Sequence, residues 1–237
     1  MKTGTRTLLV LALLASIVAV VAMFGLRAAV HPEETVALLW DLERGVAAPY
    51  VLESPGAKLT VTVFGDFECE GCSVWARTAA VVIFEEVKRG TIKLEFFDYP
   101  LSHEHAHSLS AHVAAGCAAE QGRFWEMHDQ LFAARNEWRT GSTRKPREVL
   151  KRYARLMHLD LSAWERCYDE RRPLPRITAN QKVGEQLGLR AIPAVRISNV
   201  FVAAADIFSE VRLRSIIDSS LAEAVRRTAN VPQSTRM

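Results

Sequence analysis

Two cysteines with two residues between them, Cys69 and Cys72 in FGDFECEGCSVW (residues 64–75), are the side chains best placed to do chemistry. They follow a run of alternating apolar residues and precede a helical pattern, so they fall at the start of a helix. Unpaired backbone N–H groups and the helix dipole stabilise an anion at such a position. We therefore expect Cys69 to be the reactive thiolate and Cys72, one turn further in, to close a disulfide or resolve a mixed one.

Metal binding is the competing interpretation of this pair. A C-x-x-C pair is half of a zinc site, and HEHAH offers His103, His105 and His107 as further ligands. Alternating histidines that enter a helix do not share one face, which favours a solvated helix start. Cu(I) also suits soft thiolates, but the sequence offers no methionine near the pair, and Met127 and His128 lie in a later helical stretch. Two inert buried cysteines are a third alternative, which the helix-start position disfavours.

Two acidic residues lie just before the pair. Asp66 and Glu68 in GDFEC could accept a proton when Cys72 attacks, because a nearby carboxylate assists deprotonation. Their side chains share a face that differs from that of Phe67. The pattern does not decide which of them turns toward the cysteines, and a solvated role is open for each.

The elements that position the pair are visible as periodic patterns. LTVTVFGDF, from Leu59, alternates as a strand, and TIKLEFF (91–97) indicates a second one. Between them, residues 70–87 are helical, with an apolar stripe that begins at Trp75, and Gly90 is placed to end the helix.

The N-terminal residues indicate the compartment. Lys2 and Arg6 precede a stretch of 19 uncharged residues, 8–26, which at about 1.5 Å per residue approaches the thickness of a bilayer core. Basic residues before it predict that the rest of the chain lies outside. We expect an uncleaved membrane anchor over residues 1–27, with a cleaved signal or a buried helix as alternatives. Export by either route exposes the thiols to an oxidising compartment.

The composition is that of an ordinary globular chain. It has 237 residues, 49% of them hydrophobic, and a formal net charge of +3. That charge is too mild to argue for nucleic acid, so we expect no nucleic-acid partner. Four cysteines are too few for a disulfide scaffold.

Two further segments have their own patterns. Residues 28–52 are predicted to be a linker with a short amphipathic helix, which packs on its own domain or, alternatively, self-associates through residues 33–44. Residues 135–155 hold eight basic and two acidic side chains. Such a run is typical of a solvated face, with docking to an acidic partner or an anionic membrane as the alternative.

Three separated stretches together resemble one family. VTVFGDFECEGC, then LEFFDYPLSHEHAHSLSAHVAAGCAAEQGRFWEMHDQLF, then GEQLGLRAIPAVRISN are similar to the DsbA-like branch of the thioredoxin superfamily. More narrowly, they resemble its membrane-anchored or secreted thiol-disulfide oxidoreductases, over residues 46–225. The resemblance implies an α/β thioredoxin fold at residues 53–228 with an inserted helical domain at about 104–188, followed by a tail at 229–237. The implied elements are strands near 59–64, 92–98, 194–198 and 200–204, and a final helix near 208–228.

The resemblance also implies roles for particular residues. Pro193 in LRAIPAV corresponds to the family's cis-proline that faces the redox pair, and Ile192 would offer its backbone to a substrate strand. An ordinary proline at the start of a strand is the alternative. Cys117 and Cys167 correspond to a second, structural disulfide that some members carry. Two separate buried thiols are the alternative.

The two residues between the active cysteines depart from the family pattern. Strong oxidants of the family have Pro-His there, whereas this chain has Glu70 and Gly71. A carboxylate beside Cys69 disfavours the thiolate, and glycine lets the turn flex where proline would preset it. Both changes predict a less stabilised reduced form and hence a weaker oxidant.

These expectations define a single-pass, membrane-anchored thiol-disulfide oxidoreductase on the extracytoplasmic side, in the periplasm or cell envelope, with no cofactor. Its substrates would be exported proteins with cysteines. As a disulfide donor of moderate power it would be reoxidised by a quinone-coupled membrane partner. As a reductase or isomerase it would be kept reduced by an electron-importing one. Exchange is reversible, so the motif permits both directions. A thioredoxin-fold copper-binding module is the non-enzymatic alternative.

Overall fold

The fold is described from a computed structural model, for residues 47–52, 54–139 and 146–229. The anchor expected at residues 1–27 and the amphipathic helix of the linker lie outside the described residues. Within the described residues, no helix combines the length and the apolar character needed to cross a membrane.

Two parallel strands form the centre of the sheet. β1 (Tyr50–Leu52), the first strand in the chain, lies beside them, and the central pair are β2 (Leu59–Gly65) and β3 (Ile92–Asp98). β2 and β3 pair from Leu59 opposite Ile92 to Gly65 opposite Asp98. Both are buried along almost their whole length, as is usual for strands covered on two faces. The strands predicted near 59–64 and 92–98 are confirmed.

Three shorter strands complete a five-stranded sheet in the order β1-β3-β2-β4-β5. β1 pairs antiparallel with β3. β4 (Ala194–Ile197) pairs antiparallel with β2, and β5 (Val200–Phe201) with β4. β1 corrects the predicted domain boundary: the linker does not extend to residue 52, because Tyr50 already belongs to the sheet. A strand of three residues is too short to show a period of two in the sequence.

The crossover from β2 to β3 contains two helices, not the single helix predicted for residues 70–87. They are α1 (Glu70–Arg77) and α2 (Ala80–Lys88). The break lies at Thr78, whose hydroxyl donates to the Val74 carbonyl at 2.7 Å, a bond that bends helices. The predicted apolar stripe is nevertheless buried, from Trp75 onward, and the chain turns at Gly90 with φ +81°.

Among the described residues, six helices lie between β3 and β4, where the helical insertion was predicted. They are α3 (Ser108–Ala119), α4 (Phe124–Ala133), α5 (Arg135–Arg139), α6 (Pro146–Leu156), α7 (Leu161–Glu170) and α8 (Leu174–Gln186). α3 is the central one and contacts α4, α6, α7 and α8. Its residues 111–118 are all buried, as expected for a helix that is apolar on every side.

A disulfide between Cys117 and Cys167 joins α3 to α7. Its sequence separation is 50, and closing such a loop contributes about 2–4 kcal/mol in a chain-entropy estimate. Next to it, Gly116 allows the close approach of α3 to Pro173. A Cβ added at Gly116 would lie 2.4 Å from the Cβ of Pro173.

The C-terminal part packs one long helix against the sheet. After β5 come α9 (Ala204–Ile207) and α10 (Glu210–Ala229). The strand predicted over residues 200–204 therefore ends early, because the alanines at 203–205 favour helix. α10 is close to the predicted final helix at 208–228. It contacts β2 and α2 and buries Leu213 and Ile217 completely.

Candidate active site

Cys69 is the N-cap of α1, directly after the turn that ends β2. Its Sγ accepts a hydrogen bond from the backbone N–H of Cys72 at 3.5 Å, and its side chain is half-buried. A hydrogen bond from the Cys72 thiol lowers the pKa of Cys69 most. Burial opposes it, and the N–H groups of Cys72 and Gly71 assist, so the pKa is about 6. At neutral pH this sulfur is mainly a thiolate, the nucleophilic form.

Cys72 has the opposite environment. It is only 2% exposed, and burial is the main reason why its pKa is raised, with the neighbouring Cys69 adding to the effect. The backbone N–H of Asp66 donates to its Sγ at 3.5 Å. Both cysteines are free thiols in this structure. The pair therefore combines an accessible thiolate with a buried thiol.

The loop before β4 lies against the cysteine pair. The Ile192–Pro193 peptide bond is cis, Pro193 is buried, and Ile192 is half-buried. A Cβ added at Gly71 would lie 3.5 Å from Pro193 Cδ, 3.9 Å from the Ile192 carbonyl oxygen and 3.8 Å from Cys69 Sγ. These three groups thus surround the same point beside Gly71.

Asp66 and Glu68 are both buried, so the solvated role considered for each of them is wrong. Asp66 accepts hydrogen bonds from the backbone N–H of Leu101 at 2.9 Å and of Glu68 at 2.8 Å. The Glu68 carboxylate accepts from the N–H of His107 at 2.7 Å. Both acids therefore anchor the segment that follows β3. Asp66 also contacts Cys72 through its own N–H.

Glu70 points outward, with 78% of its side chain exposed. Nη1 of Arg135 in α5 lies 3.9 Å from Glu70 Oε2. The guanidinium of Arg135 is itself buried and donates from Nε to the Glu68 carbonyl at 2.7 Å. The helical insertion thus holds the backbone just before Cys69 and places a positive charge near the carboxylate that follows it.

The histidines of HEHAH do not form one cluster. His105 is not solvated as expected, since its Nδ1 lies 2.7 Å from Asp66 Oδ2, whereas His103 is exposed. Met127 is fully buried, and the His128 ring packs among aromatic rings, including Phe67 at 5.7 Å. In residues 47–52, 54–139 and 146–229, no three histidine, cysteine or acidic side chains are arranged to hold one metal ion.

The sequence reasoning missed three polar residues beneath the site: Asp98, His112 and Asn180. All three are fully buried. His112 Nδ1 lies 2.5 Å from Asp98 Oδ1, and Asn180 donates to Asp98 Oδ2 at 3.1 Å. Two signals were present: an aspartate at the end of an apolar strand, and a histidine inside an apolar helix.

The basic segment at residues 135–155 is a salt-bridged helix face in its described part. Arg147 pairs with Asp169 at 2.9 Å, and Arg152 pairs with Glu137. Lys151 pairs with Glu165 at 2.5 Å. These cations are engaged within the domain, which favours the solvated-face interpretation over a docking surface.

Comparison with known proteins gives a family and a set of similar folds. The family model described as thioredoxin matches residues 48–219. Among curated proteins, Na(+)/H(+) antiporter NhaA 3 of Salinispora tropica is 31% identical over 137 residues, 58% of this chain and 20% of the relative. NhaA 1 of Salinispora arenicola is 30% identical over 164 residues, 65% of this chain and 24% of the relative. The chain thus spans about a fifth to a quarter of the length of the curated relatives it matches.

Solved structures show the same fold at low identity. α-DsbA1 of Wolbachia pipientis has a TM-score of 0.65 and 18% identity, covering 76% of this chain and 94% of its own. Oxidised BdbD of Bacillus subtilis has a TM-score of 0.63 and 18% identity, covering 73% and 93%. MdbA of Corynebacterium matruchotii, a thiol-disulfide oxidoreductase, has a TM-score of 0.57 and 18% identity, covering 66% and 83%.

The environment of Cys69 predicts how its thiol titrates. In Cys72→Ser, which keeps a side-chain donor, the thiolate ultraviolet absorbance of Cys69 should rise with a midpoint near that of the reduced wild-type protein, about 6. In Cys72→Ala the strongest donor is lost, so the midpoint should rise by about one pH unit. Equal midpoints in the two variants would contradict this account of the Cys69 environment.

Proposed function

The chain belongs to the thioredoxin family, and we propose that it is a protein thiol-disulfide oxidoreductase that exchanges disulfides with exported proteins through Cys69 and Cys72. The single observation that carries the proposal is the asymmetry of the pair. A half-buried sulfur with a pKa of about 6 adjoins a buried sulfur with a raised pKa. The first can meet a substrate, and the second is reached only from within the protein.

Exchange through this pair follows directly from that asymmetry. In the oxidising direction, a substrate thiolate attacks Cys69 Sγ, the Cys69–Cys72 bond breaks, and Cys72 leaves with the electron pair and takes up a proton. The second substrate thiol then loses its proton and attacks the substrate's own sulfur in the mixed disulfide, and Cys69 leaves as the thiolate. The substrate loses two electrons and the cysteine pair gains them. Because Cys69 is the more stable thiolate, it is the better leaving group in the second step.

Ile192 and Pro193 are proposed to hold the substrate. Pro193 Cδ, the Ile192 carbonyl oxygen and Cys69 Sγ all lie within 4 Å of the position that a Cβ at Gly71 would take. An extended substrate segment could pair with backbone groups there, in the manner of strand addition. Such pairing recognises the backbone of the substrate and not its side chains, which suits an enzyme that acts on many exported proteins.

Glu70 is proposed to moderate the oxidising power. Its carboxylate follows Cys69 directly, and a negative charge there destabilises the thiolate of the reduced form. Two features limit the effect: the side chain is largely exposed, and Arg135 lies 3.9 Å away. We therefore place the protein among disulfide donors of moderate strength. A reductase or isomerase kept reduced by a membrane electron donor is the second candidate, since the same thiols support both directions.

The proposed location is the extracytoplasmic side of the cell membrane, in the periplasm or cell envelope, with residues 1–27 as the anchor. Support comes from the uncharged stretch at residues 8–26 after Lys2 and Arg6. The proposed redox partner is a membrane protein, a quinone-coupled oxidase in the oxidising direction. Na(+)/H(+) antiport activity is not proposed for this chain, because the match covers only about a fifth to a quarter of the antiporters' length.

A copper-binding module is not favoured by the site. No methionine lies near the pair in the sequence; Met127 and His128 are buried in the helical insertion, and His128 Nδ1 lies 2.9 Å from Asp129. Copper binding at Cys69 and Cys72 without exchange activity would support that alternative.

Trapping tests the proposed exchange. The oxidised full-length protein should oxidise a reduced dithiol peptide, and Cys69→Ala should abolish the reaction. Cys72→Ala should instead accumulate a mixed disulfide between Cys69 and a peptide that carries an activated disulfide, because the resolving sulfur is absent. Non-reducing electrophoresis with mass spectrometry detects this adduct. Catalysis that persists in Cys69→Ala would contradict the assignment, and Cys117→Ala/Cys167→Ala controls for the second disulfide.

Substitution of Glu70 tests its moderating role. Glu70→His should raise the reduction potential of the pair by more than about 15 mV, half the shift that corresponds to 1.4 kcal/mol. The reason is that a carboxylate next to the Cys69 thiolate is removed. Glu70→Gln separates loss of the negative charge from gain of an imidazole. A potential unchanged within about 15 mV in Glu70→His would show that the residue has no tuning role.

A further inference from the structure

Four buried polar side chains form a continuous array behind the cysteine pair: Asp66, His112, Asp98 and Asn180. None of them is exposed to solvent. His112 of α3 lies between the two carboxylates, with Nδ1 2.5 Å from Asp98 Oδ1 and Nε2 3.8 Å from Asp66 Oδ1. Asn180 of α8 donates to the other oxygen of Asp98. The array thus joins the ends of β2 and β3 to two helices of the insertion.

Burying the charged side chains of this array lowers the stability of the fold unless other groups compensate for them. Ionised carboxylates in a protein interior lose several kcal/mol of hydration, and partner charges only partly offset that loss. Burial by itself would lower the pKa of His112, but the Asp66 and Asp98 carboxylates raise it to about 9. In Asp66, burial would raise the pKa, yet the charge of His112 at 3.8 Å and the hydrogen bonds from His105 and the Leu101 N–H hold it well below its ordinary range. At neutral pH the protonated His112 ring therefore lies beside the ionised Asp66 carboxylate, with the Asp98 carboxyl group on its other side.

Asp66 connects this array to the sulfurs. Its backbone N–H donates to Cys72 Sγ at 3.5 Å, and its carbonyl oxygen accepts from the Cys69 N–H at 3.2 Å. The charge of its carboxylate acts to raise the pKa of both cysteines. The charge and position of this carboxylate therefore contribute to the proton affinity of the redox pair, beside the larger effects of the Cys72 thiol on Cys69 and of burial on Cys72.

We propose that His112, clamped between Asp66 and Asp98, is a positioning residue that keeps the Asp66 carboxylate ionised, fixed and partly compensated behind Cys72, and so controls how readily the two active-site sulfurs become thiolates. The inference rests on the exchange reaction proposed for Cys69 and Cys72. His112 touches neither substrate nor sulfur in this scheme. It acts through Asp66, and Asp98 with Asn180 fixes the imidazole ring.

The surrounding groups determine the direction of the effect. Among the described residues, Asp66 and Asp98 act directly on His112. His105 and Cys72 are linked to it through Asp66, and Tyr50 lies near Asp98, where burial raises the phenol's pKa and keeps it neutral. Without the His112 cation, Asp66 retains three donors, from Glu68, Leu101 and His105. Asp98 retains the Asn180 amide among the bonds described. With those three donors Asp66 stays ionised, and without the neighbouring His112 cation its charge disfavours the thiolates more strongly.

The test is a thiolate titration of the reduced full-length protein. His112→Gln should raise the titration midpoint of Cys69 by at least about half a pH unit, a threefold drop in the thiolate-to-thiol ratio. In an Asp66→Asn background the same substitution should have less than half of that effect, because the group through which His112 acts is then neutral.

His128→Gln is the matched control. His128 is also buried, and its ring also contacts Phe67, but its Nδ1 lies near Asp129 and not near the array. A purely structural role for His112 would lower the unfolding temperature in both variants and leave both Cys69 midpoints unchanged. That outcome would overturn the proposal. The Cys69 titration midpoint is read without any exchange reaction. The mixed-disulfide assay tests exchange separately, so failure of this proposal and failure of the proposed function can be distinguished.

A second measurement uses the wild-type protein and does not depend on the folding of a variant. Linkage between two sites is reciprocal, so a Cys69 thiolate that is stabilised by the His112 cation must stabilise that cation in return. Nuclear magnetic resonance should show the His112 imidazole losing its proton at higher pH in the reduced than in the oxidised protein. The same titration in both redox states would contradict the proposal.

Discussion

The first turn of α1 is the constraint on which the rest of the site depends. Its free N–H groups point at one sulfur, Cys69, while the helix carries the second, Cys72, into the core. Two identical side chains thereby acquire opposite proton affinities: the Cys72 thiol and the backbone N–H groups stabilise the Cys69 thiolate, and burial disfavours the Cys72 thiolate. The turn stays in place because β2, paired along its whole length with β3 and from Val61 to Phe64 with β4, ends directly before it. The loop of Ile192 and Pro193 then covers one side of the helix start and leaves Cys69 accessible.

The parallel pairing of β2 and β3 has a second consequence. Carboxyl ends of parallel strands meet at one edge of a sheet, so Asp66 and Asp98 are brought together in the interior. The helical insertion supplies the polar partners of these buried carboxyl groups: His112 from α3 and Asn180 from α8. The same insertion supplies Arg135, which holds the backbone before Cys69. It is therefore a part of the site and not only a cover for the sheet.

Features that depend on local sequence were predictable, and those that depend on distant contacts were not. Strands β2 and β3 and the helix start at Cys69 follow from short-range periodicity and capping. The break at Thr78 and the three-residue β1 were missed, because a side-chain bond to one carbonyl and the pairing of Tyr50 leave no periodic signal. The pairing of His105 with Asp66 and the burial of His112 depend on how the insertion packs against the sheet. Pro193 was named from the family resemblance, since no local pattern distinguishes it from other prolines.

The reduction potential of the Cys69–Cys72 pair tests the central claim most directly. The full-length protein would be equilibrated with defined glutathione ratios, and its free thiols would then be trapped and counted. A stabilised Cys69 thiolate, moderated by Glu70 and Asp66, predicts a disulfide donor of intermediate strength, at about −180 mV. A value near about −270 mV, typical of a reductant, would contradict the account.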